Sequence, residues 1–374
     1  MKRLLSFLFS FVLFFCSFSV FAEKDNTAPS VSAQSYVLYC PDNKEVLLGR
    51  GLNTPAGMAS TTKIMTSLLA LEYAEKEDKA VEFTSKMQAE GSSMYLKAGD
   101  RVRLSDLAKG MMTVSGNDAA NAAAVAVSGN TEDFAELMNK RAKEIGMENT
   151  CFKNPSGLSA QGHFSTPYDM ALLMSEAMEN QAFEDMTAKK SVTVDFVKPE
   201  GQRATYNNHN RLLSMYEYCI GGKTGYTKAS GRCLVTCSEK NNLRLVAVTF
   251  NAPSDWQDHI KLYDYGFEKL GAVLVGDSKE IYKVNVIGSS KENISAKVLR
   301  TQKFVSDCDA AKEVKTQVYM KPMLFAPVKK GDIVGKVVCT LKGKVVTENE
   351  ILAQEDAGYM EISFFLRFFR SLFR

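Results

Sequence analysis

The sequence Ala-Ser-Thr-Thr-Lys around Ser60, with the apolar run behind it, constrains the fold of this chain more than any other stretch. Ile64, Leu68 and Leu71 recur at helical spacing, so the sequence predicts a helix that begins at or near Ser60. Backbone N–H groups are unpaired at the start of a helix, and the helix dipole is positive there. Lys63 lies on the same helix face, three residues on. The sequence thus places a basic side chain one turn from a serine hydroxyl.

Two further short motifs accompany this Ser-x-x-Lys pair. Ser115-Gly116-Asn117 interrupts a helical pattern, and Lys223-Thr224-Gly225 lies in a predicted strand. Ser-x-x-Lys alone more often marks a helix cap beside a solvated lysine. The occurrence of all three motifs in this order argues against a chance match.

Together with their flanking residues, the motifs resemble the D-alanyl-D-alanine carboxypeptidases, the low-molecular-mass penicillin-binding proteins, which are serine peptidases of the Ser-x-x-Lys type. The matching stretches lie between Tyr36 and Phe267 and are STTKIMT, SGNDAANAAA, NPSGL, HFSTPYDMALL, NNHNRLL, GGKTGYT and DYGF. A weaker match follows at residues 326–328 and 331–335. The resemblance implies removal of the terminal D-alanine from peptidoglycan stem pentapeptides, covalent inhibition by β-lactam antibiotics, and no cofactor.

The resemblance also implies roles for the first two motifs. Ser60 would attack the penultimate peptide carbonyl to form a serine ester, and Lys63 would accept its proton. A free lysine has a pKa of about 10.4, so only about one in 2,500 is neutral at pH 7. Burial, the helix N-terminus and the nearby cation Lys223 would all lower that pKa. Ser115 would pass the proton to the leaving amine, and Asn117 would hold the peptide of the substrate.

The third motif implies recognition of the chain end. Lys223 and Thr224 would bind the free carboxylate, and Gly225 would let the substrate backbone lie against the strand. By resemblance, the backbone N–H groups of Ser60 and Tyr226 would form the oxyanion hole. His209, Asn210 and Arg211 precede this strand, and one of them is expected to help hold the carboxylate; which one stays open at this point. His163 is expected to be a surface histidine, with orientation of the site as the alternative.

Composition limits the other classes of function. The net charge of +3 over 374 residues gives no argument for nucleic acid as a partner. The spacing of histidines and cysteines predicts no metal site. Cys233 and Cys237 share one face of a predicted strand and are expected in the core. A Cys308–Cys339 bridge is conceivable.

The chain is expected to hold two domains between two terminal segments. Residues 30–276 predict an α/β (α+β) catalytic domain, similar to serine β-lactamases and penicillin-binding proteins, in which an antiparallel sheet carries a helical lobe. Residues 280–355 predict a small all-β domain, because short alternating runs are separated by glycine and lysine turns. Within the helical lobe, Ser105 is expected to cap a helix over residues 104–111.

The terminal segments predict export and membrane attachment. Residues 1–22 have Lys2 and Arg3 before an apolar run, which is typical of a cleaved signal peptide; an uncleaved anchor is the alternative. Residues 360–374 form, on a helix, a narrow arginine stripe beside phenylalanines. This predicts an amphipathic helix on the membrane surface, with the protein at the outer face of the bacterial cytoplasmic membrane.

Three alternatives remain. A serine β-lactamase would need a glutamate in an E-x-x-L-N context, which the stretch from Glu148 to Phe152 does not supply. A DD-transpeptidase differs only in using an amine as the acyl acceptor. A non-catalytic penicillin-binding scaffold is the alternative outside enzymes, and the three intact motifs argue against it.

Overall fold

Helices and strands cover most of residues 28–360, the part of the chain that this computed structural model describes. The predicted signal peptide lies outside the described residues, as does the predicted terminal helix beyond Met360. The helices are α1 (Lys63–Ala74), α2 (Leu104–Thr113), α3 (Asn117–Ser128), α4 (Thr131–Ile145), α5 (Pro167–Ala177), α6 (Gln181–Thr187), α7 (Leu212–Met215), α8 (Asp255–Lys269) and α9 (Cys308–Glu313). The strands are β1 (Ser35–Cys40), β2 (Glu45–Arg50), β3 (Ala80–Glu82), β4 (Arg101–Arg103), β5 (Ser191–Lys198), β6 (Arg203–Asn207), β7 (Cys219–Thr227), β8 (Gly231–Lys240), β9 (Leu243–Phe250), β10 (Leu270–Leu274), β11 (Tyr282–Ile287), β12 (Asn293–Val298), β13 (Lys303–Asp307), β14 (Lys315–Met320), β15 (Leu324–Phe325), β16 (Ile333–Leu341) and β17 (Lys344–Ala353).

The main sheet is antiparallel, with strand order β2-β1-β9-β8-β7. Successive side chains of a strand point to opposite faces. In β1, Val37 and Tyr39 therefore join the core under the helical lobe, while Leu38 and Cys40 join the core under α8. The sheet is thus buried on both faces, between the lobe and α8.

The helical lobe lies between β2 and β7 in the chain, as predicted. Its central helix is α1, in which every residue from Lys63 to Leu71 is buried. A helix that is buried all round lies in the middle of a core rather than on a surface. The first turn of α1 is therefore rigidly held, and Lys63 is held with it. A small antiparallel sheet, β3-β4-β5-β6, flanks the lobe.

The C-terminal part is built on a six-stranded sheet of order β14-β16-β17-β12-β11-β15. Its pairs are antiparallel except β11 with β15. The predicted β character is confirmed, and the short helix α9 is an addition that the alternating pattern did not indicate. An ion pair of 3.4 Å joins Lys303 of this part to Asp42 in the turn between β1 and β2.

The expected helix cap was wrong, and the disulfide bridge that the sequence left open is not formed. Ser105 does not cap α2, because the helix begins at Leu104 and the backbone N–H and Oγ of Ser105 both donate to the Asp78 carboxylate. Cys308 and Cys339 are not bridged. Cys233 and Cys237 are buried and unbridged, as expected for small core residues.

Within residues 28–360, no helix is both long and apolar enough to cross a bilayer.

Candidate active site

Ser60 lies on a tight turn that leads into α1. Residues 59–62 form a 3₁₀ turn, and Ala59 has a φ of +47°. That φ is uncommon for a residue with a side chain. The backbone of Gly157 packs against this turn so closely that a methyl group at Gly157 would lie 2.0 Å from the Ala59 carbonyl oxygen. The turn is thus fixed from outside by another loop.

Lys63 faces Ser60 from the first residue of α1 and is fully buried. Its Nζ lies 3.1 Å from Ser60 Oγ, 2.6 Å from Asn117 Oδ1 and 2.5 Å from the Ser156 carbonyl oxygen. Burial lowers the pKa of Lys63 well below its ordinary value, and the nearby Lys223 lowers it further. None of these three neighbours is a carboxylate, so they do not pair with an ammonium charge.

Ser115 lies on the tight connection between α2 and α3, as predicted, and Asn117 is the first residue of α3. Ser115 has a φ of +62°, and its buried Oγ has no hydrogen-bond partner among the described residues. A buried hydroxyl without a partner is costly and calls for an explanation. Asn117 Nδ2 donates to the Glu90 carbonyl oxygen at 2.6 Å, while its Oδ1 accepts from Lys63. Both ends of this amide are therefore engaged.

Strand β7, at the edge of the main sheet, carries the third motif. Lys223 is buried, its Nζ donates to the Thr224 carbonyl oxygen at 2.9 Å, and burial lowers its pKa to about 7. A methyl group at Gly225 would lie 3.1 Å from the Ser60 nitrogen, so a glycine lets the strand approach the nucleophile turn. Thr224 is partly exposed and Tyr226 is exposed.

His209 and Arg211, which precede the third motif in the sequence, are both exposed. The pKa of His209 is lowered by partial desolvation and by the charge of Lys223. Arg211 lies at the start of α7, and its role stays a prediction.

The loop from Asn154 to Gly157 was not predicted to contribute to the site. Its Ser156 carbonyl oxygen accepts from Lys63, and Thr66 Oγ1 of α1 donates to the Pro155 carbonyl oxygen at 2.6 Å. Asn154 Oδ1 holds the loop closed by accepting from the Gly157 N–H at 2.8 Å. The Asn-Pro-Ser-Gly sequence was the available signal, because those residue types favour a tight turn.

His163 is buried, so the expectation of a surface histidine was wrong. Its Nδ1 accepts from the Lys153 N–H at 3.0 Å, and its Nε2 lies 2.8 Å from Thr62 Oγ1. Thr62 Oγ1 itself donates to the Ala59 carbonyl oxygen, so we assign the proton of the neutral ring to Nε2. Burial, with the charge of Lys63, lowers the pKa of His163 to about 4. A neutral imidazole thus ties the nucleophile turn to the loop behind it.

The described residues contain no cluster of His, Cys, Asp and Glu that could hold a metal ion. A serine and a buried lysine at hydrogen-bond distance, with an Asn-bearing turn and a Lys-Thr-Gly edge strand around them, define the serine acyltransferases of the penicillin-binding class.

Comparisons with known proteins specify the family. The model of the D-alanyl-D-alanine carboxypeptidase family, peptidase S11, matches residues 22–254, and the model of the C-terminal domain of penicillin-binding protein 5 matches residues 273–358. This chain belongs to the D-alanyl-D-alanine carboxypeptidase family, and its activity is that of a serine-type D-alanyl-D-alanine carboxypeptidase.

Several relatives are similar over nearly the whole chain. The D-alanyl-D-alanine carboxypeptidase DacF of Bacillus subtilis (strain 168) is 33% identical, and the match covers 96% of this chain and 96% of DacF. DacC of Escherichia coli (strain K12) is 31% identical over 93% of this chain and 90% of its own length.

The chain is also similar in fold to solved structures of penicillin-binding proteins and related enzymes. Penicillin binding protein 5 from Haemophilus influenzae superposes with a TM-score of 0.64 at 28% identity, covering 89% of this chain and 99% of that one. A mutant of the Streptomyces K15 DD-transpeptidase has a TM-score of 0.60 at 28% identity, with 64% of this chain and 99% of that one covered.

Proposed function

We propose that Ser60 is the nucleophile and Lys63 the general base that together release the terminal D-alanine of a peptidoglycan stem peptide. The observation that carries this proposal is the 3.1 Å separation of Lys63 Nζ from Ser60 Oγ in a site where burial lowers the pKa of the lysine. A neutral amine at this distance is within reach of the serine proton.

The two other contacts of Lys63 orient its lone pair. A neutral amine has two N–H groups, and two acceptors, Asn117 Oδ1 and the Ser156 carbonyl oxygen, are available to them. The lone pair is then left to accept a hydrogen bond from the Ser60 hydroxyl. After the proton moves to Lys63, the ammonium has three hydrogen bonds to donate and three neighbours that accept them.

Bond making and breaking follow from this arrangement. Ser60 Oγ attacks the penultimate carbonyl carbon, and the N–H groups of Ser60 and Tyr226 stabilise the resulting oxyanion. We assign the proton transfer to the leaving amine of D-alanine to Ser115: its buried hydroxyl without a partner gives a proton to the nitrogen as the C–N bond breaks, and it takes up the proton held by Lys63. Water then hydrolyses the ester, and Ser60 recovers its proton.

The roles of the remaining site residues follow their contacts. Lys223 and Thr224 bind the carboxylate of the chain end. Asn117 first positions Lys63, since its oxygen is already bonded to that amine. Its predicted contact with the substrate peptide can use the second N–H of Nδ2, because only one N–H is needed for the bond to Glu90.

The choice of acyl acceptor decides between hydrolysis and transpeptidation. Incubation with a stem pentapeptide, followed by mass spectrometry, should give the tetrapeptide and free D-alanine both with and without an added amine. A product in which the amine replaces D-alanine would instead favour a transpeptidase. Absence of any product from protein that binds penicillin would favour a non-catalytic scaffold.

For localisation, we propose export across the cytoplasmic membrane and attachment to its outer surface through residues 360–374. Support comes from the amino-acid sequence of both ends, with a basic and apolar stretch at residues 1–22 and an arginine stripe beside phenylalanines at the C-terminus.

A further inference from the structure

We propose that the C-terminal β part has its own membrane-contact surface, an apolar patch made by Ile287, Phe325, Ile333, Tyr359 and Met360. This inference rests on the membrane attachment proposed above and goes beyond it, because it assigns lipid contact to the folded domain as well as to the tail. The occupant we propose is the interfacial region of a lipid bilayer.

The first observation is the alternation in two paired strands. In the parallel pair of β11 and β15, Val286 lies opposite Leu324 and both are buried, whereas Ile287 lies opposite Phe325 and both are exposed. Phe325 is 69% exposed. Paired strands are about 5 Å apart, so these two side chains form one outward apolar surface.

The second observation extends this surface. Ile333 and Lys321 line, together with Phe325, a shallow depression of about 360 Å³. Ile333 is also exposed, and Lys321 Nζ donates to its carbonyl oxygen at 2.6 Å. The patch is therefore continuous from β15 to the start of β16, and it has a lysine at its rim.

The third observation is the place where the tail leaves the domain. Tyr359 pairs with Ser289, and the Met360 N–H donates to the Gly288 carbonyl oxygen at 2.7 Å. Gly288 directly follows Ile287, so the last described residues are fixed beside the patch, and Tyr359 is 72% exposed. Residue 361 is bonded directly to Met360, and consecutive Cα atoms are only about 3.8 Å apart. No linker therefore separates the tail from the patch. A tail that lies on a membrane brings this patch to the same surface.

The charges around the patch indicate that it contacts the bilayer mainly through apolar side chains and not through electrostatic attraction. The exposed lysines Lys329 and Lys330 lie near Asp332 and Asp356, whose carboxylates accept from their backbone N–H groups. Lys291 is paired with Glu355. These charges nearly balance, so attraction to anionic lipid would come from the arginines of the tail, and the patch would add apolar contact.

The tail itself is a less suitable cover for the patch. Its apolar residues outnumber the five patch residues; they are Phe364, Phe365, Leu366, Phe368, Phe369, Leu372 and Phe373. A surface of five side chains is too small to shield them all.

Two other exposed apolar residues of the same sheet provide a matched control. Leu299 follows the far end of β12, and Val345 is at the hairpin between β16 and β17. They are 76% and 60% exposed, and the strand lengths place them about 20 Å from the patch.

A site-specific probe can be built because the chain has a single tryptophan, Trp256. In the full chain with Trp256→Phe, we would introduce either Phe325→Trp or Val345→Trp and add phosphatidylglycerol vesicles. The tryptophan at position 325 should shift to shorter wavelength and be quenched by brominated acyl chains. The tryptophan at position 345 should show neither effect.

Vesicle sedimentation supplies an independent measurement. The double substitution Phe325→Ser and Tyr359→Ser should weaken binding of the full chain to vesicles about fivefold or more. The reason is that the variant lacks two aromatic side chains that would be buried in the bilayer. Leu299→Ser with Val345→Ser should leave partition unchanged. Fluorescent penicillin labelling of every variant should equal that of the wild type, which shows that the catalytic part is intact.

Other outcomes would overturn the proposal. Vesicle binding by the wild type without quenching at position 325, or with equal partition of the Phe325/Tyr359 variant, would leave the tail anchor standing and remove the patch. Stronger binding by that variant would mean that the patch covers the tail. If the wild type fails to bind vesicles, the attachment proposal fails as well, while penicillin labelling still tests the catalytic proposal.

Discussion

Two buried lysines, Lys63 and Lys223, dominate the electrostatics of the candidate site. Each has its pKa lowered by burial, and the charge of Lys223 lowers the pKa of Lys63 further. The arrangement suits a division of labour in which Lys63 is neutral and accepts a proton, whereas Lys223 meets an incoming carboxylate that restores its charge.

Replacing Lys223 should reduce the discrimination between free and amidated chain ends. A charge-assisted hydrogen bond contributes about 1.5 to 3 kcal/mol, so wild-type kcat/KM should fall at least about tenfold when the terminal D-alanine is amidated. Lys223→Gln should be poor on both substrates, with a much smaller ratio between them. Steady-state kinetics on the paired peptides measures this ratio.

The ratio is more informative than the absolute rate, because Lys223 also affects the pKa of Lys63. An unchanged ratio in Lys223→Gln would mean that another group, such as Arg211 or His209, binds the carboxylate. The same measurement on Arg211→Gln and His209→Gln would identify which.

His163 should make stability depend on pH. Its pKa of about 4 in the fold is below the ordinary value of 6.5, so the unfolded chain binds more protons between these values. The free energy of unfolding should therefore fall as pH decreases from about 6.5 to about 4, by at most about 3 kcal/mol from this residue. Urea denaturation at several pH values should show a shallower dependence in His163→Asn.

Two substitutions of His163 distinguish the effect of its contact with Thr62 from that of its hydrogen bond with Lys153. His163→Gln puts an amide donor near the Nε2 position and keeps the contact with Thr62. His163→Asn keeps an acceptor for the Lys153 N–H and loses that contact. If the histidine holds the nucleophile turn, Asn should slow acylation of Ser60 about tenfold, and Gln should slow it less. Equal acylation rates in all three proteins would restrict His163 to a role in stability.

At the scale of elements, the site depends on contact between two segments that are far apart in the chain. The nucleophile turn at residues 59–62 meets the loop at residues 154–157, and this loop also provides a carbonyl oxygen to Lys63. The closeness of these backbones explains why a glycine lies at position 157.

Gly157→Ala should disrupt this contact, and Gly162→Ala is its control. Both glycines have φ near +80°, so both substitutions carry the same backbone strain, about 1 to 2 kcal/mol. Only the alanine at 157 would clash with a backbone oxygen, at 2.0 Å; the one at 162 meets a flexible lysine side chain at 3.3 Å. Gly157→Ala should unfold at lower urea and acylate slowly, whereas Gly162→Ala should acylate normally. Equal behaviour of the two variants would contradict the account of this contact.

The sequence motifs predicted which helices and strands carry the site better than they predicted the contacts that the loop at residues 154–157 and His163 make with the nucleophile turn. Ser60, Lys63 and Ser115 belong to short patterns, so their elements and relative order could be inferred directly. Ser156 acts through a main-chain carbonyl that every residue has, so its Asn-Pro-Ser-Gly sequence indicates a tight turn but not a contact with Lys63. The burial of His163 depends on packing against Thr62, which is distant in sequence.

At the scale of the whole molecule, the chain combines a catalytic part with a β part whose described residues carry no candidate catalytic group. Family models match the two parts separately, at residues 22–254 and 273–358. The boundaries expected from sequence, at about 276 and 280, stay predictions. The proposed acylation and the proposed membrane attachment are assigned to different parts of the chain, so experiments can test them separately.

Removal of residues 360–374 should release the protein from membranes without loss of hydrolysis of small peptides. The reason is that residues 360–374 include none of the proposed catalytic or carboxylate-binding residues. Vesicle sedimentation and release of D-alanine should be measured on the same preparation. Continued sedimentation of the truncated protein would mean that the main anchor lies elsewhere, either in the apolar patch of the β part or in a retained N-terminal segment.

In the proposed mechanism, catalysis proceeds through an ester on Ser60. The most direct measurement is incubation with a fluorescent penicillin, followed by digestion and mass mapping of the labelled peptide. A β-lactam presents a reactive acyl group beside a carboxylate, so the label should be on Ser60 and absent from Ser60→Ala. A label on another residue, or undiminished labelling of Ser60→Ala, would rule out Ser60 as the nucleophile.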